Sequence, residues 1–133
     1  MGQPAATLGD KIMATDIHII LIPAPPGPPI PTPLPHPFVG TIDTGCATTV
    51  MIGGKPAATV TCGATNTPPH IPQGGPFQIP PTNRATIMTG SATVMIGGKP
   101  AARMGDTAIT CDDIAPTAPK GQVMGTAATV MIG

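Results

Sequence analysis

The chain has no tryptophan, no tyrosine and only two phenylalanines among 133 residues. Bases and sugar rings therefore have no aromatic platform to stack on. Glutamate is absent too, and all six acids are aspartates. Charged residues are 9% of the chain and cancel to zero net charge. That argues against a nucleic-acid partner, which needs a basic excess on one face. The three cysteines include no CxxC pair, so a disulfide framework is not expected. The longest apolar run, 17–22, is interrupted by His18 and is too short for a bilayer. Met1-Gly2-Gln3-Pro4 carries no basic region followed by an apolar stretch. Synthesis in the cytoplasm without a signal peptide is expected. No GxSxG, HExxH, Walker or GxGxxG pattern occurs.

Proline and glycine are plentiful, at 20 and 17 residues. Such a composition often signals disorder. Here it surrounds restated apolar strand formers, which disordered chains lack. Thr49-Val50-Met51-Ile52-Gly53-Gly54-Lys55-Pro56-Ala57-Ala58 returns as Thr93-Val94-Met95-Ile96-Gly97-Gly98-Lys99-Pro100-Ala101-Ala102. The first half recurs as Thr129-Val130-Met131-Ile132-Gly133, and the second half opens the chain as Pro4-Ala5-Ala6. One small supersecondary unit is thus reused. Pairing of the two terminal halves would give three equivalent units around an axis.

The expected fold is all-β, a single body of short hairpins over 1–133 with Pro/Gly-rich corners. Strands are expected at 17–22, 38–42, 50–52, 84–87 and 93–96, with Gly-Gly hairpin turns after the third and fifth. Residues 23–37 are mostly proline and predict a rigid, extended crossing without a hydrogen-bonded ladder. Residues 63–83 read as a loop, and no segment has a sustained helical period. Such a thin core calls for a staple.

The histidines supply a candidate. Registering the units on Pro-Ala-Ala gives offsets of 56 − 4 = 52 and 100 − 56 = 44. The first maps His18 onto His70, a match not used to set the register. The third equivalent place, 70 + 44 = 114, is Ile114, with Cys111 three residues before it. His36 sits between Pro35 and Pro37. Imidazoles and a thiolate suit tetrahedral zinc, and equivalent loops converge on a threefold axis. The candidate ligands are His18, His36, His70 and Cys111, with Cys62 in reserve. Four protein ligands would make the site structural. Cys62 maps onto Asp10 and Asp106, which follow glycine in equivalent turns. Cys46 and Cys62 read as small buried hydrophobes, and Asp112-Asp113 as a solvated pair.

Pro100-Ala101-Ala102-Arg103-Met104-Gly105-Asp106, with the preceding 90–99 stretch, resembles the signature of the PAAR-repeat proteins. The motif is degenerate at Pro4-Ala5-Ala6-Thr7 and Pro56-Ala57-Ala58-Thr59. The resemblance implies a pseudo-threefold cone with zinc near the apex, held by three histidines and one cysteine. It implies a non-enzymatic tip on the spike of a contractile injection machine, type VI secretion or a phage-tail-like particle. The implied partner is a homotrimeric VgrG-like spike protein, one copy of this chain per trimer. Effector cargo, transient contact with a target membrane and delivery outside the producing cell are also implied. Val50, Met51, Ile52, Val94, Met95, Ile96, Val130, Met131 and Ile132 would present apolar strand edges to the spike. The alternatives are a small zinc hydrolase with an open metal position and a proline-rich adaptor for SH3-type partners.

Overall fold

The computed structural model describes residues 2–114, 118–127 and 129–133, and among these there is no helix. Twelve strands appear in order: β1 (Gln3–Pro4), β2 (Lys11–Ile22), β3 (Ile30–Thr44), β4 (Ala47–Ile52), β5 (Lys55–Ala57), β6 (Gly63–Asn66), β7 (Arg84–Ile87), β8 (Met95–Ile96), β9 (Lys99–Pro100), β10 (Thr107–Ile109), β11 (Gly121–Met124) and β12 (Met131–Ile132). A closed barrel runs β10-β11-β2-β3-β6-β7. Three two-stranded ribbons, β4-β5, β8-β9 and β1-β12, complete the fold.

Those ribbons are the repeated phrase. Met51 pairs with Pro56 and Ile52 with Lys55; Met95 pairs with Pro100 and Ile96 with Lys99. In the split copy Met131 pairs with Pro4 and Ile132 with Gln3. The chain termini therefore build the third hairpin together, as the permuted repeat predicts. In the two unbroken copies the turn glycines have φ of 60° and 82°, and of 61° and 80°. Two consecutive left-handed residues match the twist of the flanking strands, a conformation glycine adopts without a Cβ penalty.

The axis is closed by a ring of backbone hydrogen bonds. The Ala6 N–H donates to the Ala102 carbonyl (3.1 Å), Ala102 to Ala58 (3.0 Å), and Ala58 to Ala6 (3.0 Å). A second ring joins Leu8 to Pro56, Val60 to Pro100 and Met104 to Pro4, at 2.8–2.9 Å. Only alanine-sized side chains let three strands approach this closely, so Ala6, Ala58 and Ala102 lie fully buried. Ile52, Ile96 and Ile132 close one apolar cluster with Ala5, Ala57 and Ala101. A larger cluster holds Ile12, Phe38, Ile42, Ile87 and Val123 inside the barrel.

Two strands outrun the rest. The β2-β3 ladder extends from Lys11↔Thr41 to Ile22↔Ile30, whereas the other barrel strands have three or four residues. The barrel thus narrows from six strands to one hairpin, which rises roughly 23 Å between Lys11 and His18, at ~3.3 Å per residue. The sequence expectation for 23–37 is corrected here, because 30–37 lies inside a paired strand. Pro31, Pro33, Pro35 and Pro37 all fall at alternate positions, opposite Leu21, Ile19, Ile17 and Thr15. Proline has no N–H to give, so these pairs are the ones that exchange no ladder bonds. The missing donors all lie on the outer edge, and the ladder survives. Gly63–Asn66 is likewise a strand (β6), where a loop was expected.

The other edge of the hairpin is covered. The Leu21 N–H donates to the Pro76 carbonyl (2.9 Å) and the Gln78 N–H to the Ile19 carbonyl (2.8 Å). This approach requires glycine at 75, where a Cβ would sit 2.0 Å from the Leu21 oxygen.

Candidate metal centre

Strand alternation decides which side chains face inward. On β2 the buried positions are Ile12, Asp16, His18 and Ile20; on β3 they include His36, Phe38 and Ile42. The register sets His36 directly opposite Asp16 and His18 opposite Leu34. Asp16 and His18, two residues apart, share one face. The 63–83 stretch brings His70, and the segment after β10 brings Cys111.

The three imidazoles converge. Ring centroids are 4.8 Å apart for His18 and His70, 5.3 Å for His18 and His36, and 5.5 Å for His36 and His70. Cys111 Sγ lies 3.5 Å from His18 Nε2. The three imidazoles and the sulfur that sequence reasoning named thus lie in one region of the fold. The tightest donor set differs in one member: one ligand atom from each of Asp16, His18, His70 and Cys111 falls within 4.8 Å of the others, and His36, with its ring 5.3 Å from His18 and 5.5 Å from His70, stands beside that set rather than in it. Four donors on a zinc ion at 2.0–2.3 Å would stand roughly 3.3–3.8 Å apart, so the cluster is near that size. Both phenylalanines flank it. Phe77 lies 5.6 Å from the His18 ring and 5.5 Å from His36, and Phe38 lies 6.0 Å from His70.

Second partners orient the rings, as metal-binding histidines require. His36 Nδ1 meets the Leu34 carbonyl at 3.0 Å. His18 Nδ1 lies 3.2 Å from Asp113 Oδ1, although the angle is too poor for a hydrogen bond. His70 Nδ1 is 3.3 Å from the Asn66 amide nitrogen and its Nε2 is 3.1 Å from Asp16 Oδ2. Val39 N–H fixes Asn66 by donating to Oδ1 at 2.9 Å.

Asp112 and Asp113 are not a solvated pair, which corrects the sequence expectation. Prolines on β3 turn the amides of Ile17 and Ile19 outward, and these two aspartates receive them. Ile17 N–H donates to Asp112 Oδ1, and Ile19 N–H to Asp113 Oδ2 at 3.0 Å. Lys120 balances Asp112 at 2.9 Å. The clue was available in the sequence: a strand with a free edge beside a proline-edged partner needs acceptors and donors from elsewhere.

Burial pushes the Cys111 thiol up to about 12, with the Asp16 carboxylate adding to the effect. Burial likewise lowers His70, against the pull of its hydrogen bond to Asp16. An ion binding here must displace the thiol proton, so its affinity is pH-dependent. A groove lined by His36, Pro37, Val39, Pro68, Pro69 and His70 provides an approach from solvent.

Cys62, the reserve ligand, is elsewhere. It is fully buried in the barrel core, and half-buried Cys46 packs against that same core. Ile114 is exposed. At the opposite end of the molecule Met51, Met95 and Met131 are 59%, 60% and 59% exposed. Val50 is exposed, Val94 and Val130 are half-buried, and Ile52, Ile96 and Ile132 point into the core.

A family model described as the PAAR motif matches residues 35–115, more than half of the chain. No match was found among curated proteins.

Proposed function

The chain belongs to the PAAR motif family, and on that premise we propose that it is the non-enzymatic tip of a contractile injection system's spike. Over 1–133 it forms one PAAR-type domain. Its base caps a homotrimeric, VgrG-like spike, with one copy of the chain per trimer. Its apex is pinned by zinc, which aids passage through a target membrane. On this reading the tip also serves to connect effector cargo to the spike.

The observation that carries the reading is the threefold base. Three hairpins with the same register present three methionines of equal exposure. A single chain rarely repeats an exposed apolar residue three times unless three like surfaces meet it. Methionine adapts to an apolar partner surface. His18, His36, His70 and Cys111 would hold the zinc. Bound there, the ion would supply folding free energy on the order of 10 kcal/mol, with no reaction. The chain's own contribution is the orientation of the His36 and His70 rings by Leu34 and Asn66, the Asp113 carboxylate beside His18, and the exclusion of water by Phe38 and Phe77. A site filled by protein donors leaves no open position for a substrate.

Co-expression with a trimeric spike protein tests this. The expected result is a complex of one chain per trimer, lost when Met51, Met95 and Met131 are all changed to Asp while the monomer still melts cooperatively. Binding that survives the triple change, or three chains per trimer, contradicts it.

A further inference from the structure

We infer that Asp16 is a direct oxygen ligand of the ion, joining His18, His36, His70 and Cys111; the inference rests on the metal reading above.

Asp16 is the most enclosed carboxylate in the described structure, with no exposed surface. Among the described residues no lysine or arginine lies within ion-pair distance of it; the one basic group in reach is the His70 ring. The aspartates near it are otherwise engaged. Asp112 takes the Ile17 amide and Lys120. Asp113 takes the Ile19 amide and faces His18 Nδ1. Asp16 Oδ1 accepts the Thr110 hydroxyl. Its Oδ2 contacts two atoms, His70 Nε2 at 3.1 Å and Cys111 Sγ at 3.3 Å.

Both of those atoms are the ones an ion would claim. Once His70 Nε2 and Cys111 Sγ point their lone pairs at a metal, neither donates to Asp16. Oδ2 would then be a buried acceptor without a donor, which is costly. The sulfur, now a thiolate, would also stand beside a carboxylate at near-contact distance. Two buried negative charges so close repel strongly unless a cation lies between them. An ion bridging Oδ2 and Sγ removes both problems, and the two anionic donors together match its double charge. His36 stands opposite Asp16 in the β2-β3 register, just outside the four donors that lie within 4.8 Å of one another; drawn in, it would complete a set of three nitrogens, one oxygen and one sulfur.

Cobalt(II), bound to the full-length chain in place of zinc, tests this through its absorption. The wild type should show one thiolate-to-cobalt band from Cys111. Asp16→Asn should weaken cobalt binding at least about tenfold in a chelator competition and shift the visible bands. Asp16→Cys should nearly double the thiolate band, because a first-shell position would accept a second sulfur. Cobalt binding within twofold of wild type, unchanged visible bands in the Asn variant and a single-thiolate band in the Cys variant would overturn the inference, leaving the metal reading intact. A wild type without any thiolate band would instead overturn both. Should the variants not fold, zinc-edge X-ray absorption of the wild type decides: one sulfur with four lighter donors, or with three of which only two are imidazoles, supports Asp16, and one sulfur with three imidazoles and no further donor contradicts it.

Discussion

Each repeat ends its tight turn by the same device, made from different residues. Asp10 Oδ2 accepts the Thr7 N–H at 2.8 Å, and Asp106 Oδ2 accepts the Arg103 N–H at 2.8 Å. In the middle copy Cys62 Sγ takes the Thr59 N–H at 3.1 Å. The side chains of the same pairs also meet: Thr7 with Asp10, Thr59 with Cys62, and Arg103 with Asp106. This gives the motif's arginine position a role that a threonine can also fill, namely a donor facing the residue three places on. Asp10 further holds the Thr126 hydroxyl. Asp10→Ala is expected to cost about 1–2 kcal/mol, as loss of a buried hydrogen-bonded cap does, checked by denaturant unfolding. Cys46 gives a pH signature. Burial first, then neighbouring Cys62, pushes its thiol up to about 12 from 9.0. The fold favours the protonated thiol and the unfolded chain ionises first. Its stabilisation is therefore complete below pH 9 and declines as pH rises from 9 towards 12. Cys46→Ala in the metal-loaded protein should flatten that decline in a melting series. At this scale repeat register made candidates of His18 and His70 and pointed near Cys111, while His36 entered as the remaining histidine. Asp16 was hidden because a lone aspartate two places before a histidine has meaning only once both lie on a paired strand.

Among the elements, the β2-β3 hairpin was the least legible. Its proline run reads as unpaired, since proline cannot donate. What that reading misses is parity: every proline from 31 to 37 is odd-numbered, so all their missing donors fall on one edge. That edge is the continuation of the one that pairs with β6 lower down, from Gly40 to Thr44. Above that point, the prolines leave an edge another strand cannot zip onto. Replacing Pro31, Pro33 and Pro35 with Val should preserve the monomer's strand content yet restore three outward donors. Concentration-dependent self-association, followed by light scattering, is the expected outcome. An indefinitely monomeric triple variant would show that the edge is protected by something else. The short hairpins were far easier to read, because Gly-Gly after Val-Met-Ile specifies both turn and register.

For the molecule as a whole, the axis is a chain of small events repeated three times. Gly9, Thr61 and Gly105 each donate to the carbonyl of Ile42, Ile87 and Val123, all at 2.9 Å. Those three carbonyl residues then occupy equivalent places in the barrel core. The permuted sequence repeat made this threefold plan legible. It did not reveal that, among the described residues, one of the three arms is prolonged, β2 and β3 having no counterparts of similar length there. The asymmetry has a consequence. The extended hairpin carries His18 and His36, and the 63–83 stretch brings His70, to one end of the larger apolar core, where Phe38 and Cys111 meet it. On the proposed reading, an ion held there would staple that end of the core. Metal content paired with melting tests this most directly. The account predicts one equivalent of zinc per chain as purified, and a fall in Tm of more than about 15 °C when a strong chelator removes it. A chain that purifies without metal, or that melts at the same temperature after chelation, would contradict it.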